Sequence, residues 1–317
     1  VKLKNILKLA FGLSLLAFLF IMADFQALAV MLGQMHWGYG FIGFAAFAAT
    51  SALDMWRLRM ASPSAAQVRW FAFARMHIES YAMAPLLPGH IGVDAYRVAT
   101  IGRGTGQGYV EPAVILFGLR VFSLLTMLGL TFGLFLGLPE WREVYKPLVL
   151  AVISFPVWGV VLTTVAALLS VVLAWLLWRR AGPRLLNRFA GVRQAWAALT
   201  WPRLMRLLAM SIAMIILRIF TFLLTLQAFG IELDVWLGTS VALCAALAWL
   251  LPLSPAGIGV REGVIVGLLV WLGIDYVPAL AVALLNRVYF LLFAGIGGVS
   301  FLLPKTNATL ATQENHS

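Results

Sequence analysis

Residues 251–263 read LPLSPAGIGVREG, and residues 86–97 read LLPGHIGVDAYR. Both carry the phrase P-x-x-I-G-V, at 88–93 and 255–260, and both run straight into charge: Asp94 in one, Arg261 and Glu262 in the other. Each phrase sits inside a long apolar stretch, 70–96 and 235–274. Proline removes a backbone donor and glycine weakens a helix, so each stretch is expected to break midway, at Pro88, Gly89 and Gly92 or at Pro255, Gly257 and Gly259.

The rest of the chain sets the solvent. Its 317 residues are 62% hydrophobic and 11% charged, against about 25% charged in a soluble domain. Six further runs, 6–22, 37–56, 112–137, 148–178, 207–230 and 278–303, approach or exceed the ~20 apolar residues that cross a bilayer. Residues 1–22 also resemble a signal peptide, with Lys2, Lys4 and Lys8 ahead of an apolar stretch and Ala27-Leu28-Ala29 as a cleavage-like site. We read them as an uncleaved first span, because the duplication described below requires one. Residues 305–317 read as a disordered tail.

The formal net charge of +11 suits the positive-inside rule better than nucleic acid. Lys2, Lys4, Lys8, Arg57, Arg59, Arg69, Arg97, Arg103 and the arginines of 179–206 are assigned to the cytoplasm, while Glu232, Asp234 and the mixed 138–147 loop are assigned outside. Both flanks of 70–96 then lie inside and both flanks of 235–274 lie outside. Each must enter, break and return as a re-entrant hairpin, which is tolerated only where protein or a wet cavity covers the backbone. Both termini fall in the cytoplasm, and the setting is a bacterial inner membrane.

The two phrases lie 167 residues apart, and Arg120-Val121-Phe122 lies 167 residues before Arg287-Val288-Tyr289. The same offset carries 112–137 onto the last span and 37–56 close to 207–230. The expected architecture is an all-α polytopic membrane protein made of two inverted repeats, 1–147 and 148–304. Each holds three spans and one re-entrant hairpin, an arrangement found in transporters.

Ions within such segments are expensive and usually face a cavity or a partner. They are Arg75, His77, Glu79, Asp94, Arg97, Arg120, Arg218, Arg261, Glu262 and Arg287. Arg75 and Glu79 are four apart and read as an internal ion pair; His77 reads as a satisfied polar residue. Arg97 is either an interfacial anchor or a cavity residue. Arg120 and Arg287 either pair with Asp94 and Glu262 or contact ligand directly. Six arginines against three acids leave a cationic surplus, which implies an anionic ligand. Guanidinium suits phosphate because it can bond it bidentately. There is no P-loop, no Gly-x-Ser-x-Gly, no His-Glu-x-x-His and one cysteine, Cys244. No cofactor or metal is expected.

On both phrases the chain resembles the flippase-like family named after the transmembrane region of lysylphosphatidylglycerol synthase, from about residue 6 to 303. Gly257, Gly259, Arg261, Glu262 and Gly263 match the second motif; Pro88, Gly89, Gly92, Asp94 and Arg97 match the first, with Val93 where the family usually has glycine. Arg120 looks like the family's arginine in the following span. The resemblance implies movement of lipids or lipid-linked headgroups between leaflets, without the aminoacyl-transferase domain that synthase members carry and 317 residues have no room for. The expected function is transbilayer movement of an anionic phospholipid or lipid-linked headgroup. Arg261, Glu262, Asp94, Arg97, Arg120, Arg287 and Arg218 would line one central cavity. The alternatives are a membrane transferase on a polyprenyl-phosphate or glycolipid with Asp94 or Glu262 as base, and an accessory subunit of a lipid-modifying enzyme. Membrane lipids, and a lipid-biosynthesis enzyme, are the expected partners.

Overall fold

The computed structural model describes residues 25–84, 91–106, 108–137, 200–250, 254 and 256–303. Spans 6–22 and 148–178, Pro88, Gly89, Pro255 and the tail lie outside these residues. Among the described residues the chain is all helix. The helices are α1 (Phe25–Gly33), α2 (Trp37–Ala61), α3 (Pro63–Gln67), α4 (Trp70–Ala82), α5 (Ile91–Thr105), α6 (Val110–Gly137), α7 (Trp201–Ala228), α8 (Val235–Leu250), α9 (Val260–Trp271) and α10 (Tyr276–Leu302). Stretches within α6, α7 and α10 are long and apolar enough to cross a membrane: Val110–Thr131, Trp201–Ala228 and Tyr276–Phe301. The protein is a multi-pass membrane protein.

The ends follow from local chemistry. Ser62 accepts the Ala65 N–H at 3.1 Å, and Pro63 supplies the fixed φ of a first helical residue, so α3 starts there. At the end of α9, Gly273 donates to the Val270 carbonyl and Ile274 to that of Leu269; α7 closes the same way through Gly230 and Ile231.

Several boundaries differ from the sequence reading. The second span does not stop at residue 56: α2 runs to Ala61, so Arg57 is not in a cytoplasmic loop but buried at 6% exposure. The reason is local, because Asp54 lies one turn earlier on the same helix face and neutralises it. The first broken element does not end at residue 96 either. Its second arm, α5, continues to Thr105 and buries Arg97. Gly92 is a buried helical residue within α5 and not part of the break. A nine-residue helix, α1, was not expected.

Helix α2 lies along α7, the most extensive pairing in the fold, and α4 lies along α10. Helices α8, α9 and α10 pack in succession, with Leu28 of α1 joining their apolar core. A second core joins the end of α2 to α3, α4, α5 and α6. The two phrases approach each other: Val93, the last residue of the first, and Ala84 just before it share an apolar cluster with Ala256 and Ile258 of the second. Helix α6 turns Phe117, Val121, Leu125 and Leu128 outward, while Arg120, Ser123 and Met127 line the interior.

Gly297 sets how closely α4 and α10 approach. A Cβ there would strike the Ile78 carbonyl oxygen and lie 3.3 Å from Glu79 Cα, both backbone atoms that cannot rotate away. Gly297→Ala is therefore expected to destabilise the fold by about 1–3 kcal/mol. The neighbouring Gly298→Ala, with open space around its Cβ, should be nearly neutral. Thermal unfolding in detergent, read by a thiol-reactive dye on Cys244, the one cysteine, distinguishes them.

Candidate functional site: a cationic cavity between α2, α5, α6 and α7

The site begins with α2. Thr50, Ser51, Asp54 and Arg57 recur at helical spacing and turn one polar stripe inward. Asp54 is shared by two guanidiniums. Arg57 Nη2 donates to its Oδ1 at 2.9 Å, and Arg97 Nη1, from α5, donates to its Oδ2 at 2.9 Å. Arg57 Nη1 also donates to Ser123 Oγ on α6 at 2.5 Å and to Ser211 Oγ on α7 at 3.0 Å. Arg97 Nε donates to Ser80 Oγ at 3.0 Å, and its plane lies over the Tyr81 ring, 5.6 Å from the centroid. One carboxylate thus fixes two arginines that also reach three serine hydroxyls and the Tyr81 ring.

His77 belongs to this network. Its Nε2 lies 3.4 Å from Arg97 Nη2 and 3.2 Å from Ser51 Oγ. Arginine only donates, so Nε2 is the acceptor in that contact, while Nδ1 is buried with no hydrogen-bond partner among the described residues.

Asp94, in the first turn of α5, pairs with Arg120 Nε of α6 through Oδ2. Its other oxygen, Oδ1, is buried without a donor. Arg218 of α7 completes the lining and lies in the field of Asp54, Arg57 and Arg120. These six residues surround a cavity of about 100 Å³, with Met127 and Met214 among its apolar walls. Among the described residues of the lining, four guanidiniums face two carboxylates. Such a site attracts an anion, because the partly buried guanidiniums are screened less than they would be in open water.

A second ionic cluster stands beside this cavity, close enough for Arg261 to feel the charge of Arg218. The turn before α9 has positive φ at Ala256 (50°), Gly257 (68°) and Gly259 (79°). Gly259, with ψ −46°, occupies a region that only glycine enters without strain. Glu262 Oε2 accepts the Gly259 N–H at 2.8 Å, and its Oε1 accepts Arg287 Nε at 2.6 Å. Arg287 also donates to the carbonyls of Ala256 and Gly257 at 3.0 and 3.1 Å. Arg261 Nη2 reaches Asn286 Oδ1 at 3.3 Å.

Residues 5–298 match the family described as the lysylphosphatidylglycerol synthase transmembrane region. The chain belongs to this family. The family is a membrane domain linked to flippase-like function, and the match takes in both ionic clusters. No curated protein and no solved structure matches the chain.

Set against the sequence reading of this family member, the structure brings together Asp94, Arg97, Arg120 and Arg218. It places Arg261, Glu262 and Arg287 in the second cluster, with Arg261 in the field of Arg218. The reason is that Glu262 turns back onto the start of its own helix and Arg287 follows it to the turn carbonyls. Arg97 is a cavity residue, not an interfacial anchor. Arg120 and Arg287 both pair with carboxylates. Arg75 bonds Glu79 at 2.8 Å and caps α10 through the Ser300 and Leu303 carbonyls at 2.6 and 2.7 Å. Asp54 and Arg57 were missed, although D-x-x-R at the end of an apolar run is itself a signal: it places opposite charges on one helix face.

Proposed function

We propose that the protein moves an anionic phospholipid or lipid-linked headgroup across a bacterial inner membrane through the α2/α5/α6/α7 cavity, with both termini cytoplasmic. The observation that carries this is a small cavity among apolar helices whose described lining gathers four guanidiniums and two carboxylates. Neutralising a lipid phosphate there lowers the barrier to its passage, while the acyl chains remain in the bilayer. Asp54 orients Arg57 and Arg97; Asp94 holds Arg120 until a phosphate competes for it.

The reading includes an inverted-repeat architecture, which the helix spacing supports. Shifted by 167 residues, the helices α2, α4, α5 and α6 fall on α7, α8, α9 and α10 to within three residues at every boundary. The apolar contact between the two phrases is what two hairpins entering from opposite faces would make. On this reading α4–α5 and α8–α9 are re-entrant, and the two repeats occupy 1–147 and 148–304.

Proteoliposomes test it. Fluorescent anionic lipid should cross with the wild-type protein and cross about 10–100-fold more slowly with Arg218→Ala or Arg120→Ala, the loss expected for one charge-assisted contact to the headgroup. Retained thermal stability would show that the variants are folded. Unchanged rates in folded variants would remove the cavity from the path, and no movement of any lipid would overturn the transport reading.

A further inference from the structure

We infer that a groove at the shared rim of α2, α4 and α7 binds the headgroup of an anionic phospholipid, at a site separate from the cavity and not needed for the transport reading. The groove encloses about 440 Å³, and Trp56, Arg59, Ser62, Trp70 and Arg203 are among its lining. Arg59 follows Arg57 by two residues, about 200° round the helix, and it does not line the cavity. Asp54 answers Arg57, but among the described residues no carboxylate pairs with Arg59 and none lines the groove. Glu111, which accepts from Ser62 Oγ at 3.2 Å, is 1% exposed and lies off that lining. Arg59 is held by dipoles instead. Its Nη1 donates to the Ala65 and Val68 carbonyls at 3.4 and 2.6 Å, and its Nη2 to the Ala66 carbonyl at 3.0 Å. A guanidinium has five N–H groups, so two remain for a ligand. The Trp70 and Phe73 rings flank it, their centroids 5.2 and 5.4 Å from Cζ. The cation is thus fixed before any ligand arrives, which lowers the ordering cost of binding.

The surroundings say which anion. Trp56 and Trp70 meet edge to face with centroids 6.2 Å apart, yet they are 60% and 46% exposed. Trp201, the first residue of α7, is 71% exposed. Exposed indoles beside arginine belong at the headgroup level of a bilayer, where one end of the side chain is apolar and the other wet. A soluble anion would satisfy the arginines and leave the indoles bare. A phospholipid sets its phosphate against Arg59 and Arg203 and its glycerol and upper chains against the indoles. On the topology proposed above this rim is cytoplasmic, and that leaflet carries the anionic lipid. The bound lipid joins the start of α7 to the corner made by α2, α3 and α4.

Photo-crosslinking of the purified full-length protein in neutral detergent tests this. The probes are phosphatidylglycerol and phosphatidylcholine, each with a diazirine at the top of one acyl chain, and the adducts are mapped by peptide mass spectrometry. Phosphatidylglycerol should label residues 55–73 and 200–206 at least about tenfold more than phosphatidylcholine. Arg59→Gln or Arg203→Gln should each cut that excess about fivefold, the factor one arginine supplies near an anionic headgroup. Arg59→Gln also strips three carbonyls of their donor; should it fail to fold, Arg203→Gln carries the test. Equal labelling by the two lipids, or an excess unchanged in a folded variant, overturns the inference. Loss of the label to excess inorganic phosphate overturns it in favour of a soluble anion. No label on these segments from either lipid overturns it and assigns the groove to protein. None of these outcomes bears on the cavity, whose test is lipid movement.

Discussion

Asp54→Ala should lower stability by about 3–5 kcal/mol, the range measured when one partner of a buried ion pair is removed, and should abolish lipid movement. Asp54 is the shared acceptor of Arg57 and Arg97, which are 6% and 3% exposed. Its loss leaves two guanidiniums facing each other with no carboxylate between them. Serine hydroxyls from α4, α6 and α7 remain, but they carry no charge. Removing one of the stranded cations should recover part of the loss: Asp54→Ala with Arg97→Met should be more stable than Asp54→Ala alone, since deleting both members of a buried pair is far cheaper than deleting one. Thermal unfolding of the two singles and the double closes the cycle. Additive losses would mean that the Asp54–Arg97 contact is energetically idle. The same variants should differ in function from their stability order, because the double restores the fold without restoring the cavity's cationic geometry.

The second large effect is expected at Glu262, which is 1% exposed. Its two oxygens do different work, one capping the start of α9 at the Gly259 N–H and the other holding Arg287. Glu262→Ala should cost about 3–5 kcal/mol, because the stranded Arg287 remains tied to the Ala256 and Gly257 carbonyls. Glu262→Gln keeps an acceptor for Gly259 and should lose less. Glu262→Asp is one methylene too short to reach both partners and should fall nearer alanine than glutamine. The ranking Gln above Asp above Ala, read from midpoint temperatures, checks this. The contrast with the other cluster is physical. The Asp94 and Arg120 side chains are 20% and 33% exposed, whereas Glu262 and Arg287 are 1% and 11% exposed. The first pair has room to exchange partners and the second does not. Variants of Glu262 should therefore change stability and transport together, and variants of Arg120 chiefly transport.

The sequence made the membrane class, the two interrupted stretches and most of the buried ions legible, because charge within an apolar run has few innocent explanations. Arg75 and Glu79 could be paired from spacing alone, since residues four apart on a helix face one another. Asp54 and Arg57 were hidden by position: at the end of a span, arginine ordinarily belongs to the cytoplasmic rim, and only the carboxylate one turn earlier marks it as buried. The division of the ions into two clusters was not legible. It depends on which way Glu262 points, and a glutamate three residues after Gly259 can as easily face a cavity as its own helix start. Ser80, Ser123 and Ser211 gave no signal, being weakly polar residues common in membrane helices.

The bonds from Arg287 to the Ala256 and Gly257 carbonyls also order events during synthesis. A ribosome delivers α8, the turn and α9 before it delivers α10. Until residue 287 has left the exit tunnel, the turn's carbonyls and Glu262 lack the cation that completes them. Arg75 likewise waits for Leu303, the residue 228 positions later to whose carbonyl it donates. The nascent protein is therefore expected to hold charged, half-satisfied segments at the insertion machinery until α10 arrives. Truncation just before α10 should leave chains that stay bound there instead of partitioning into lipid.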